Sequence, residues 1–228
     1  MNNKHIFSQF DSDLSALSNH LLTMGQEVEQ QFKRALAALE HFDNDLIEQV
    51  FVEEQKINAQ EIDIDEECGR IIAIRQPAAS DLRFVLAVSK AVAILERAAD
   101  EVVRIVKHAR HIVEDKNKSG IPYNDIAPLG SMAIAIFHQS LSAFAELDSE
   151  AANALRQQDK AINEEFRKLR AKFIAAMTAN PSSIGLSLDM LSIVKAIERF
   201  GDYAKKIGEY VVYVSKGTDI RHQKNLLS

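Results

Sequence analysis

Tryptophan is absent from this chain of 228 residues, cysteine occurs once, proline four times and glycine eight times. The single Cys68 excludes an internal disulfide framework, so the fold must rest on its apolar core. With 46% hydrophobic residues that core can be sizeable. Long apolar runs are missing too: stretches such as Phe84 to Val88 are far shorter than the roughly 20 residues of a membrane span, which argues against an integral membrane protein. Excess positive charge is also lacking. A net charge of −6 argues against a general nucleic-acid binder, whose phosphate affinity comes from clustered Lys and Arg. The opening Met1-Asn2-Asn3-Lys4-His5 has no signal-peptide character, and this predicts a cytoplasmic protein. Catalytic motifs are equally scarce. There is no P-loop, Rossmann glycine pattern, nucleophile elbow or Cys/His arrangement, and Glu-x-x-His, the usual ligand spacing of di-iron bundle enzymes, occurs nowhere.

What remains is rich in Ala, Leu, Glu, Lys and Gln and reads as all-α. Six long helices can be placed by period. The first carries Leu14, Leu17, Leu21, Met24, Val28, Phe32, Ala35 and Leu39 on one stripe, and Asp43 to Asp45 supply turn and N-cap chemistry after it. The second has the seam Ile47, Val50, Glu54, Ile57, Glu61, Ile64, Cys68 and Ile71, in which two positions are carboxylates. It ends near Pro77, and Ser80 or Asp81 can cap a third helix running through Leu95, Ala98, Val102, Ile105, Ala109 and Ile112. Lys116 to Asn124, with Gly120 and Pro122, reads as a linker.

The pattern then begins again. Ile126 to Leu147 predicts a fourth helix; a fifth has the seam Leu155, Asp159, Ile162, Phe166, Leu169 and Phe173 and closes at Pro181. A sixth runs through Ile193, Ile197, Phe200, Ala204, Ile207, Val211 and Val214 to Gly217. Offsets between the halves agree: Glu54 to Asp159 and Asn58 to Asn163 are both 105, Pro77 to Pro181 is 104, and Glu96 to Glu198 is 102. The expected architecture is therefore a tandem repeat of two three-helix bundles, at 13–116 and 125–216, with a linker at 117–124 and a basic tail at 217–228.

The repeat carries a repeated signature. Glu96-Arg97-Ala98-Ala99-Asp100 and Glu198-Arg199-Phe200-Gly201-Asp202 each set two carboxylates one helical turn apart, where like charges repel. Glu54/Asn58 and Asp159/Asn163 offer further i,i+4 pairs on the second and fifth helices. Hard cations such as Mg²⁺, Mn²⁺ or iron favour oxygen ligands, so one metal could bridge such carboxylates. Two other readings stand beside this one: a carboxylate-bridged metal enzyme, and a generic helical scaffold whose acidic pairs are neutralised by Arg97, Arg104, Arg199 and Lys206. Glu96 and Glu198 follow the seam residues Leu95 and Ile197 by one position, which predicts partial exposure on the flank of the stripe. His108 and His111, one turn apart, could bind zinc in principle but read first as favourable charges at a helix end. Lys205, Lys206, Lys216, Arg221 and Lys224 make the C-terminus basic, as a solvated helix end or as a contact for an acidic partner or membrane surface.

These residues resemble the PhoU family of bacterial phosphate-signalling regulators along essentially the whole chain. Three stretches carry the resemblance: Arg75-Gln76-Pro77-Ala78-Ala79-Ser80-Asp81-Leu82-Arg83, Ala196-Ile197-Glu198-Arg199-Phe200-Gly201-Asp202, and Val214-Ser215-Lys216-Gly217-Thr218-Asp219-Ile220-Arg221-His222, the last similar to gammaproteobacterial members. The resemblance implies two three-helix bundles, no enzymatic activity, and negative regulation of the phosphate-starvation response. It implies as partners the ATPase subunit of the phosphate ABC transporter and a sensor histidine kinase, a homodimer, no nucleic acid, and a peripheral place at the membrane through those partners. It also implies metal ions (Mg, Mn, Fe or Zn) at Glu96, Asp100, Glu198 and Asp202, with Glu54 and Asp159 facing them. Here Ala98-Ala99 replace Ile-Gly, Arg104 and Lys206 stand where many members have Asn, and Asn58 and Asn163 replace an Asp often found there. The charged replacements and the lost Asp work against metal affinity.

Overall fold

A computed structural model describes residues 8–114 and 123–219, and among these the secondary structure is helical throughout. The elements are α1 (Ser8–His41), α2 (Asn44–Arg75), α3 (Ala79–Glu114), α4 (Tyr123–Glu146), α5 (Ser149–Ala179) and α6 (Ile184–Lys216), with a 3-10 turn at Pro181–Ser183 before α6. The five predicted stripes are buried, apart from Leu14 and the carboxylates Glu54 and Glu61 at the edge of the core. Helix 4 starts earlier than its sequence pattern suggests. Tyr123 and Asn124, read as linker, are its first residues, with Pro128 tolerated near its start. Residues 115–122 and 220–228, hence most of the predicted linker and tail, lie outside the described residues.

Chain reversals are repeated as faithfully as the stripes. Phe42 and Leu147 both have φ near +50° (54° and 51°), and Asp43 and Asp148 follow as N-caps of α2 and α5. Each Asp donates its backbone N–H back to the preceding helix, to Ala38 O and Ala143 O, while its side chain accepts from two amides ahead. One short segment thus satisfies orphan groups on both helices. The α2–α3 turn is different: Gln76 closes α2 at φ 49°, and Ala79 opens α3 at φ 48°, which puts Ser80 and Asp81 in the first turn of α3. Asn180 caps the turn before α6, and Gly217 ends α6 at φ 68° with its N–H on Tyr213 O.

The two triplets share one core rather than two. Gly25 of α1 packs against Leu141 of α4, and Gly130 of α4 packs against Leu36 of α1. Each pair is the other displaced by 105 residues, so α1 and α4 cross about a local two-fold relation, as in an isologous dimer interface. A Cβ at Gly25 would come within 2.5 Å of Leu141 Cδ2, so the helices are as close as glycine allows. Helices α3 and α6 run antiparallel: Lys90 lies over the Tyr213 ring, Glu101 binds Arg199, and His108 binds Asp189. At the centre, Phe200 stacks between Phe32 and its counterpart Phe137, with ring centroids 4.0 and 4.4 Å apart. The counterpart of Phe200 is Ala98, also fully buried, so the central packing departs from the pseudo-symmetry.

Helix α4 is the one described helix long and apolar enough to cross a membrane by length and composition, with a mean hydropathy of 1.2. It is also a core helix of the bundle, with half of its most apolar window buried against the rest of the protein. That environment accounts for its composition without a lipid phase.

Candidate functional site

The sequence signatures lie on the outer flanks of the α3–α6 layer. Glu54, Glu96, Glu198 and Asp202 are partly buried, Asp100 is exposed, and Asp159 is buried. In the first half, α2 and α3 bring Glu54, Glu96 and Asp100 together, with Glu61 added from the α2 seam. Burial raises the Glu54 carboxyl above its ordinary range and the Asp100 charge raises it further, against a hydrogen bond from Gln31 Nε2 at 3.1 Å and the charge of Lys107. Glu96 is raised by burial and then by Asp100, Glu61 and Glu54, opposed by Arg97. Among the described residues, no Lys or Arg forms an ion pair with these three carboxylates.

The second half has the same backbone and the opposite electrostatics. Lys205 Nζ lies 2.6 Å from Asp202 Oδ1 and 3.0 Å from Asp159 Oδ2, bridging α5 and α6. Lys206 takes Asp202 Oδ2 at 2.7 Å, and Lys195 takes Glu198 at 2.7 Å. Burial alone would raise Asp202, yet the two ammonium groups hold it below its ordinary range. Lys205 is lifted by the same pairing despite the cost of burial. Its counterpart in the first half is Val103, a buried core residue.

Several partners differ from those suggested by sequence proximity. Arg104 and Arg199 both reach Glu101, at 3.2 and 3.0 Å, and this 3% exposed carboxylate ties α3 to α6. Neither neutralises a signature carboxylate by direct contact; Lys206 does. Lys205, Lys206 and Lys216 are not free charge at a basic end, because Lys216 pairs with Glu150 and the other two belong to the α5–α6 site. Asn163 turns back to its own helix, donating to Asp159 O at 2.9 Å. His108 and His111 both turn to Asp189 of α6 rather than capping the end of α3. Sequence reading missed Gln31, Glu101 and the bridging place of Lys205. The available signal for Lys205 was its place three residues after Asp202 together with Val103 at the matched position.

A groove lies elsewhere, a space of about 690 Å³ among α1, α2 and α4 lined by Gln26, Glu29, Lys33, Lys56 and His138. Its buried Glu29 is satisfied by Lys33 at 2.6 Å and His138 at 3.1 Å, so the groove presents paired groups rather than a reactive set. Cys68 is no better suited to chemistry. Burial pushes its thiol up to about 12, and the Sγ faces Val85 O.

The arrangement is thus two related helical halves with modified carboxylate flanks and no nucleophile–base pair at either. A family model described as the PhoU domain matches this chain twice, at residues 21–109 and 126–211, one match on each side of the pseudo-two-fold. The chain belongs to the PhoU family. PhoU proteins are regulatory accessory proteins rather than enzymes. A PhoU homologue from a Burkholderia species, described as a phosphate-specific transport system accessory protein, is 40% identical over 97% of this chain and 95% of its own length. The Escherichia coli K12 PhoU, described in the same words, is 36% identical over 96% and 90%. The crystal structure of PhoU from Pseudomonas aeruginosa superposes with a TM-score of 0.88 at 36% identity, covering 92% of this chain and all of that one. The Streptococcus pneumoniae phosphate transport system regulatory protein PhoU gives 0.86 at 28% identity, with 92% and 98% covered.

Proposed function

We propose that this protein is a cytoplasmic negative regulator of the phosphate-starvation response that also modulates phosphate uptake. It acts as an adaptor between the ATPase subunit of the phosphate ABC transporter and the sensor histidine kinase, as a homodimer held at the membrane by those partners. The observation that carries this reading is likeness over nearly the full chain, in both directions, to proteins described as accessory to phosphate-specific transport. A helical scaffold with long exposed helix faces suits docking rather than turnover. Deleting the gene should derepress phosphate-scavenging genes in phosphate-rich medium; unchanged expression counts against the reading. Pull-down at high and low phosphate should recover the transporter ATPase or the kinase.

The metal reading belongs to the first half. Glu54, Glu96 and Asp100 repel one another and would hold a hard cation through carboxylate oxygen, which would supply charge compensation. In the second half Glu198, Asp202 and Asp159 are already paired with ammonium groups, so a metal there does not fit the residues present. Elemental analysis after incubation with Mn²⁺ or Fe²⁺ should return metal bound to the wild type and less to Glu96→Gln. Equal loading of the two proteins would remove this site from consideration.

A further inference from the structure

A different group of ligands lies at one end of the α3–α6 pair, away from every signature carboxylate in the sequence. His108 and His111 project from the same face of α3, and Asp189 meets them from the start of α6. One ligand atom from each residue can be chosen so that all three lie within 4.8 Å of one another. His108 Nδ1 is 2.7 Å and His111 Nδ1 is 3.5 Å from the same oxygen, Asp189 Oδ1. The rings stand edge to face, with centroids 5.9 Å apart.

We propose that His108, His111 and Asp189 form a zinc-class metal site that clamps the two halves of the molecule together. Two imidazoles and one carboxylate suit a borderline cation such as Zn²⁺, whereas the all-oxygen cluster of the first half suits harder ions. Three protein ligands leave the fourth position of a tetrahedral ion for water. Exposure matches that count: His108 and Asp189 are about a quarter exposed, at 27% and 24%, while His111 at 64% lies on the open side. No Lys or Arg among the described residues is paired with Asp189, so a dication would meet no fixed positive charge on that carboxylate.

The pseudo-symmetry provides an internal control. At the opposite end of the α3–α6 pair the counterparts of His108 and His111 are Tyr210 and Tyr213, and that of Asp189 is Ala87. Lys90 lies over the Tyr213 ring there, 5.8 Å from its centroid. One end carries metal-ligand chemistry, and the other an aromatic–cation contact. The ligand set is therefore a feature of one end and not of the repeated backbone.

Zinc binding to tag-free full-length protein, measured by competition with a chromophoric chelator, tests the proposal. One Zn²⁺ per chain should remain bound in the Glu54→Gln/Glu96→Gln/Asp100→Asn background, which removes the first-half cluster. That zinc should be lost, with affinity down at least tenfold, in His111→Gln and in Asp189→Asn. His111→Gln alters an exposed side chain, so its fold is expected to survive, and unchanged circular dichroism checks this. Stoichiometric Zn²⁺ should also raise the thermal midpoint of the wild type and leave that of His111→Gln unmoved, because the ion joins α3 to α6 only in the former. Absence of zinc binding, or equal affinity in the wild type and both variants, overturns the site.

Discussion

The α2–α3 flank and the α5–α6 flank share helix spacing, an Asp N-cap and signature, yet one gathers carboxylates whose charges raise Glu54 and Glu96 and the other ties them down with lysine. The difference rests on matched positions on α3 and α6, with Val103 against Lys205 and Ala93 against Lys195, and on Lys206 reaching Asp202 while Arg104 turns to Glu101. A repeated backbone therefore does not repeat a site. Acidic pairs one turn apart are a geometric consequence of the signature, and whether they attract an external cation depends on what the adjacent turn supplies. The core has the same kind of asymmetry, with Phe200 filling the centre opposite the much smaller Ala98.

Substitutions can break that comparison at graded cost. The largest effect is expected at the centre: Phe200→Ala removes a fully buried ring stacked on two others and should cost about 3–5 kcal/mol in urea unfolding. A loss under about 1 kcal/mol would mean that Phe32 and Phe137 close over the vacated space and that the centre needs no large ring from either half. Next comes Lys205→Val, which gives the second half the residue of the first. It leaves the buried Asp159 without its bridge to Asp202, and should cost about 2–3 kcal/mol, less than for a fully buried pair because Lys205 is 23% exposed. Adding Asp159→Asn should recover part of that loss in a double-mutant cycle.

The reciprocal change, Val103→Lys, supplies an ammonium to the first half and should abolish the metal bound through Glu96, at a stability loss of about 1–2 kcal/mol because it replaces a buried valine. Metal retained at wild-type level would show that the other matched positions carry the difference. The smallest effect concerns pH. Glu54 and Glu96 have folded pKa values above their ordinary range, so they penalise the fold at neutral pH, and the penalty is relieved as pH falls toward roughly 4 to 5. Asp202 has the opposite sign: its stabilisation is present above its ordinary value and is lost as pH falls further, below roughly 4. Glu54→Gln/Glu96→Gln should therefore raise stability at pH 7 by about a few tenths of a kcal/mol and flatten the profile between roughly pH 7 and 5. An unchanged profile would mean that the first-half charges are already compensated in solution.

The fold was legible because its determinants are local. The buried stripe of α5, from Leu155 through Asp159 to Phe173, follows from 3.6-residue periodicity, and Asp43 or Pro181 marks a helix boundary through chemistry confined to a few bonds. Helix 4 was legible except at its start, because a linker with Gly and Pro masks the first turn that Tyr123 and Asn124 complete. The candidate sites were less legible. Glu54, Glu96 and Asp100 could be placed on facing helices from their offsets, but the partner of Arg199 could not, since it leaves α6 for Glu101 of α3.

The sequence by itself determined six helices, the Asp43 cap, the Gly217 stop, the twofold repeat and the family, because each depends on periodicity, short-range capping or matched spacing. Only the tertiary structure decided that Lys205 bridges Asp159 and Asp202, that Phe200 stacks between Phe32 and Phe137, and that His108 and His111 meet Asp189. Those contacts depend on which side chains point at each other across helices. One residue turns a helical side chain by about 100°, so this pointing is set by how helices far apart in the chain cross.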